Sequence, residues 1–223
     1  MILHWFKKKY PDFWEIYAGS FNHQEHNDID NERFVVFDTE TTGLHFATDR
    51  ILSLGAIGVI GNRIDVSKSL ELYLHQEKYN NETAKIHGIL KLGHLDKVSE
   101  QEAVKAFLSF AKNAVLVAHH IDFDVAIINS ALHRMKLPPL KNKICDTGVL
   151  YKRTLDIAPD NKHYGLDELC NIYNISKHDR HTALGDAYIA ALVFMKVLSA
   201  LKKKYPQLAL NDLFLPRRRQ GLF

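Results

Sequence analysis

Phe34-Val35-Val36-Phe37 runs directly into Asp38-Thr39-Glu40. A short apolar run that ends in acids reads as a buried strand delivering its acids to the edge of a core. Carboxylates two residues apart at a strand end point to one face. They repel each other, and the apolar residues before them lower the local dielectric. Such a pair persists comfortably when a divalent cation sits between its members. An isolated Asp-x-Glu more often faces solvent, so the remainder of the chain must supply further ligands.

The pattern around that strand describes a mixed α/β layer fold. Arg50 to Ile60 reads as a second strand, and Gly61-Asn62 as a tight turn into a third, Arg63 to Leu74. Ser99 to Ala111 is helical, with Ser99 as cap and Glu102 as its capping-box partner. Ala114 to Ala118 is a fourth strand, Asp122 to Met135 a helix stopped by Pro138-Pro139, and Lys143 to Cys145 a short fifth strand. Tyr164 to Tyr173 and Thr182 to Lys204 are helices. The expected organisation is a helical appendage and polar linker over 1–32, a main domain over 33–204 and a basic tail over 205–223. Within the first segment, residues 1–24 look amphipathic, with Pro11 as an interruption or a second helix start.

Composition removes several classes. With 223 residues and 46% apolar content the chain buries a core without staples, and a net charge of +3 excludes disorder as the main state. No apolar run approaches the ~20 residues of a membrane span, and the N-terminus reverses the order of a signal peptide. Cys145 and Cys170 lie far apart, which argues against a disulfide scaffold or thiolate zinc site and fits a reducing cytoplasm. Residues 33–201 are near neutral and do not read as a basic wrapper for duplex DNA, whereas residues 202–223 carry six Lys and Arg against one Asp.

Two further clusters follow the first. In Val117-Ala118-His119-His120-Ile121-Asp122-Phe123-Asp124 a strand exits into a loop and Asp124 opens a helix, at the strand end where functional groups collect in α/β sheets. In Arg180-His181-Thr182-Ala183-Leu184-Gly185-Asp186 the His and the acid converge if His181 lies in the loop and Asp186 on the first turns of the helix. Four acids and one His would then meet at one sheet edge, an oxygen-rich set suited to Mg²⁺ or Mn²⁺.

In order and spacing these clusters resemble the three motifs of the DnaQ-like exonuclease superfamily, His-containing (DEDDh) branch, which includes the proofreading subunit of bacterial DNA polymerase III. Thr83-Ala84-Lys85-Ile86-His87-Gly88-Ile89 resembles the family's HGI segment, and Asp146-Thr147 its DT pair. One departure is His120, where the family usually has Asn. The resemblance implies a ribonuclease H-like fold with a mixed five-stranded sheet flanked by helices. It implies two-metal hydrolysis of phosphodiester bonds from a 3′ end, releasing nucleoside 5′-monophosphates. Asp38 would bridge both cations. Glu40 and Asp186 would hold the one carrying the nucleophilic water, Asp124 would act through water, and His181 would take the proton. Thr41, Leu44, Glu82 and His87 fall on substrate-contact positions, Leu44 as an apolar wedge. Phe123 either stacks or packs beneath the site.

The expected partners are nucleic acid 3′ ends, single-stranded DNA foremost. An exoribonuclease shares every catalytic residue, and a degenerate nuclease fold acting as a binding module is the reading from a different class. Pro206-Gln207-Leu208-Ala209-Leu210-Asn211 resembles a short sliding-clamp-binding motif, which makes a clamp or polymerase a candidate partner. The alternative is that Leu208, Leu210, Leu213 and Phe214 pack back as a C-terminal clasp.

Overall fold

A computed structural model of the chain describes residues 10–22, 28–78, 80, 82, 84–85, 88–89, 95–156 and 162–214. Among these, six strands form one sheet: β1 (Arg33–Thr41), β2 (Ile51–Ile60), β3 (Arg63–Leu74), β4 (Lys97–Val98), β5 (Val115–Ala118) and β6 (Ile144–Asp146). Their spatial order is β4-β3-β2-β1-β5-β6. β2 runs antiparallel to β1 and β3, while β5 is parallel to β1 and β6, and β4 is parallel to β3. The sheet is mixed, as expected, with one strand more than the five anticipated. The addition is β4, whose two residues are too few to leave a periodic signal.

Among the helices are α1 (Asp12–Gly19), α2 (Glu100–Ala111), α3 (Ile121–Arg134), α4 (Thr147–Thr154), α5 (Leu166–Tyr173) and α6 (Ala183–Lys204). α1 starts straight after Pro11, and α2 is opened by the Ser99–Glu102 capping box. β1 is covered on both sides. Phe34 and Val36 lie in one core cluster with Ile57, Val59 and the α6 residues Ile189, Val193, Phe194 and Val197. Val35 and Phe37 lie in the other, with Trp14, Tyr17, Phe107, Leu108, Ile127 and Ile128. A strand buried on both faces cannot alternate apolar and polar residues, hence the unbroken Phe-Val-Val-Phe.

The expectation that no apolar run approaches a membrane span does not hold for α6. Its 22 residues are long and apolar enough to cross a membrane by length and composition, with mean hydropathy 1.7 over the best window. That window is 56% buried inside the domain, so the apolar character belongs to a central core helix packed on β1 and β2.

Described segments before β1 and after α6 fold back onto this frame. Tyr17 is buried, and its hydroxyl donates to Asn142 Oδ1 at 2.6 Å and accepts from the Lys141 N–H at 2.8 Å. Beyond α6, Leu210 and Leu213 are buried in the cluster beneath α6, with Leu208 and Phe214 packed against it. This is the clasp arrangement, with Pro206, Gln207 and Asn211 of the clamp-like segment exposed. Arg217 to Arg219 lie outside the described residues.

Candidate active site

The parity of β1 places the first two acids. Phe34 and Val36 face α6, so Asp38 and Glu40 face the same way and emerge where α6 begins. Asp186 sits one turn into that helix, whose N-cap Thr182 accepts from the Gly185 N–H at 3.1 Å. Ligand oxygens of Asp38, Glu40 and Asp186 all lie within 4.8 Å of one another. The approach depends on Gly55, which pairs directly with Asp38 in the β1–β2 ladder. A Cβ there would fall 2.2 Å from the Leu184 nitrogen, so α6 can start over this point of the sheet only because position 55 lacks a side chain.

Asp124 comes from the opposite layer. Thr39 points away from α6, and both its N–H and its hydroxyl donate to Asp124 Oδ1, at 3.0 and 2.7 Å. The acids strain against ionisation. Burial, then Asp124, Asp186 and Glu40, hold the Asp38 carboxyl well above its ordinary range. Glu40 is pushed up to about 7 by burial and then by Asp186 and Asp124. Burial outweighs the Thr39 bonds and raises Asp124 to about 7. Asp186 Oδ1 is buried without a hydrogen-bond partner. Four oxygen donors with mutual repulsion and an orphaned acceptor fit hard divalent cations such as Mg²⁺ or Mn²⁺.

The Asp146-Thr147 pair acquires a structural role. Asp146 Oδ2 accepts from the Ile121 N–H and Oδ1 from the Val149 N–H, each at 2.9 Å, so one carboxylate caps both α3 and α4. Thr147 Oγ1 meets His119 Nδ1 at 2.7 Å. Burial, then neighbouring His120, lowers His119 to about 4, so it serves as a neutral strut under the start of α3. His120 has φ 64° and ψ 45°, the left-handed region that Asn and His tolerate better than most residues. Asn and His both satisfy that backbone requirement.

His181 is also left-handed, with φ 66°, and its side chain is exposed. Its N–H donates to Asp186 Oδ2 at 3.3 Å, so the structure ties the His181 backbone to the cluster and leaves the ring towards solvent. Leu44 is 85% exposed on the loop after β1. Asp49 braces that loop: Oδ1 accepts from Thr42 Oγ1 and Lys78 Nζ, and Oδ2 from the His45 N–H. Gly43 leaves room for this carboxylate, since a Cβ there would sit 2.6 Å from Asp49 Oδ2. Thr41 is buried and its hydroxyl donates to the Gly43 carbonyl at 2.7 Å, closing its own turn. Glu82 is exposed and paired with Lys85 at 3.0 Å. His87 lies outside the described residues. Phe123 is half-buried on the first turn of α3.

Asp49, Gly55 and the Asp146 double cap were not singled out from the sequence as parts of the site. A tight loop flanked by Thr and Asp, and a Gly inside an apolar strand, are the signals that mark such bracing and close approach.

A mixed sheet with helices on both faces and acids gathered where β1, α3 and α6 meet defines a ribonuclease H-like nuclease. Comparisons with known proteins agree. The family model described as Exonuclease (RNase T) matches residues 35–194, and the chain belongs to that family. The chain is 34% identical over 171 residues to the PolC-type DNA polymerase III of Caldanaerobacter subterraneus, covering 76% of this chain and 12% of that protein. It is 30% identical over 175 residues to the DNA polymerase III subunit epsilon of Buchnera aphidicola, covering 75% of this chain and 73% of the relative. Among solved structures it is similar to the Escherichia coli ExoI–ssDNA complex, with TM-score 0.64 and 19% identity over 82% of this chain and 42% of that one. That likeness is one of fold.

Proposed function

We propose that this chain is a 3′–5′ exonuclease that removes nucleoside 5′-monophosphates from single-stranded or frayed DNA, in proofreading or repair. The observation that carries the reading is the convergence of Asp38, Glu40 and Asp186 oxygens within 4.8 Å at the end of β1. These three, with Asp124 beside them, would hold two Mg²⁺ or Mn²⁺ ions. Bound there, the cations supply Lewis-acid polarisation of the phosphate and a nucleophilic water at neutral pH.

The chain's own residues divide the remaining work. His181 is the acid–base group: its backbone is tied to Asp186 and its ring is open to solvent. Leu44 is an apolar side chain held out in water by a braced loop, an arrangement that suits a wedge against unpaired terminal bases. Asp146, Thr147 and His119 keep the start of α3, and with it Asp124, in place. The DNA assignment is supported by the epsilon and PolC-type relatives and by the ssDNA named for the ExoI complex. The buried, free Cys145 and Cys170 are consistent with a cytoplasmic setting. A polymerase remains within this reading as a partner. The burial of Leu210 and Leu213 favours the clasp over a clamp-binding peptide.

The test is a product assay with Mn²⁺ on end-labelled single-stranded DNA, 3′-mismatched duplex, blunt duplex and RNA side by side. Single strands and mismatched ends should be degraded faster than blunt duplex, and Leu44→Ala should narrow the difference. Equal rates on unpaired and fully paired 3′ ends, unchanged by Leu44→Ala, would contradict the wedge. Faster turnover of RNA would move the reading to an exoribonuclease.

A further inference from the structure

Arg180 lies between two carboxylates. Its Nε donates to Asp167 Oδ1 at 2.9 Å, and its Nη1 donates to Asp186 Oδ2. The Arg180 side chain is 20% exposed, Asp186 9% and Asp167 55%. The guanidinium is therefore shared between a buried member of the acidic cluster and an open acid on the first turn of α5. A guanidinium stays charged at any working pH, so it can leave Asp186 only by moving. We propose that Arg180 is a built-in counter-ion that competes with divalent cations for Asp186, and that loading the site requires it to swing off Asp186 while Asp167 retains it.

Three features support an exchange over a fixed strut. The fork's two nitrogens serve different acids, so letting go of Asp186 leaves the Asp167 bond intact. Asp167 is a partly solvated partner, and exposed pairs hold weakly enough to re-form around a moved side chain. Asp186 is also held by the His181 N–H and by its helix, so it does not need Arg180 to stay in place. Asp38 and Glu40 both feel the Arg180 charge, which makes it a counterweight for the whole cluster in the absence of metal. The inference rests on reading the cluster as a cation site. It adds a residue that sets how much cation is needed to fill it.

The experiment is calorimetric titration of the full chain with Mn²⁺ alone, together with melting temperature in chelator, for wild type, Arg180→Gln and Asp167→Asn. Arg180→Gln should bind Mn²⁺ about tenfold more tightly, as expected when one charge-assisted competitor is removed. Its melting temperature in chelator should fall, and its gain on adding Mn²⁺ should exceed that of wild type. Asp167→Asn should do the reverse: Arg180 is left wholly to Asp186, and Mn²⁺ affinity drops. A merely structural residue would not give opposite signs for Arg180→Gln and Asp167→Asn. Arg180→Gln with unchanged or weaker affinity, or Asp167→Asn with tighter affinity, would overturn the competition while leaving the cation site standing. If Arg180→Gln does not fold, the Asp167→Asn titration decides alone. Absence of Mn²⁺ binding by wild type would overturn both the competition and the cation site beneath it.

Discussion

Asp38 is a carboxylate that this fold disfavours in its charged form unless something positive stands beside it. Burial and three neighbouring acids raise it, and Glu40 and Asp124 rise with it to about 7. An ordinary unfolded carboxyl titrates near ~4, so these groups stabilise the metal-free fold fully below about pH 4 and lose that contribution as pH rises through about 7. In chelator, the melting temperature should fall between pH 5 and pH 8, and Asp38→Asn should flatten that slope; equal slopes would contradict the assigned electrostatics. His181→Ala should reduce kcat by roughly 10²–10⁴ and leave Mn²⁺ affinity nearly unchanged. Loss of Mn²⁺ binding by calorimetry would remove the acid–base role given to His181. The sequence shows these residues because strand parity and helix starts fix which way Asp38, Glu40, Asp124 and Asp186 point. It does not show Arg180 as their counter-ion, since that contact needs α5 and the loop before α6 brought together.

At the scale of elements, the site is the meeting of β1 with the starts of α3 and α6, and Gly55 is what lets α6 begin there. Gly55→Ala would press a methyl group into the Ala183–Leu184 backbone. Overpacking of this kind costs roughly 1–3 kcal/mol, and here it also pushes Asp186 away from Asp38. The variant should melt earlier and lose activity together, measured by thermal denaturation and turnover; normal turnover would show that the cluster tolerates displacement of α6. Elements with a strong local signal could be read in advance: the Ser99–Glu102 box opens α2, and Gly61, at φ 56°, turns β2 into β3. α4 could not, because its eight residues start at Thr147-Gly148 and depend on the Asp146 cap shared with α3. β4 is only two residues long and is fixed by its neighbour, not by its own pattern.

For the whole molecule, segments before β1 and after α6 contribute to the domain. Trp14 and Tyr17 enter one core face, Leu210 and Leu213 the other. Leu210→Ala should therefore destabilise by about 2–5 kcal/mol in denaturant titration, as for a buried leucine elsewhere. A value near zero would return the segment to the status of a free peptide. The uneven charge of the sequence suggested a basic tail after residue 204, but charge carries no information about which leucines pack back, and Leu210 and Leu213 join the cluster that holds Leu150 of α4 and Leu198 and Leu201 of α6. The claim on which everything else depends is that the acidic cluster cuts DNA from its 3′ end with divalent metal. The most direct measurement is the product pattern from a 5′-labelled single strand incubated with Mn²⁺, for wild type and Asp38→Ala. The wild type should shorten the strand one nucleotide at a time and release 5′-monophosphates; chelator should stop it, and Asp38→Ala should fall below about a tenth of the wild-type rate. Undiminished turnover by Asp38→Ala, or internal cuts in place of a ladder shortening from the 3′ end, would contradict the account.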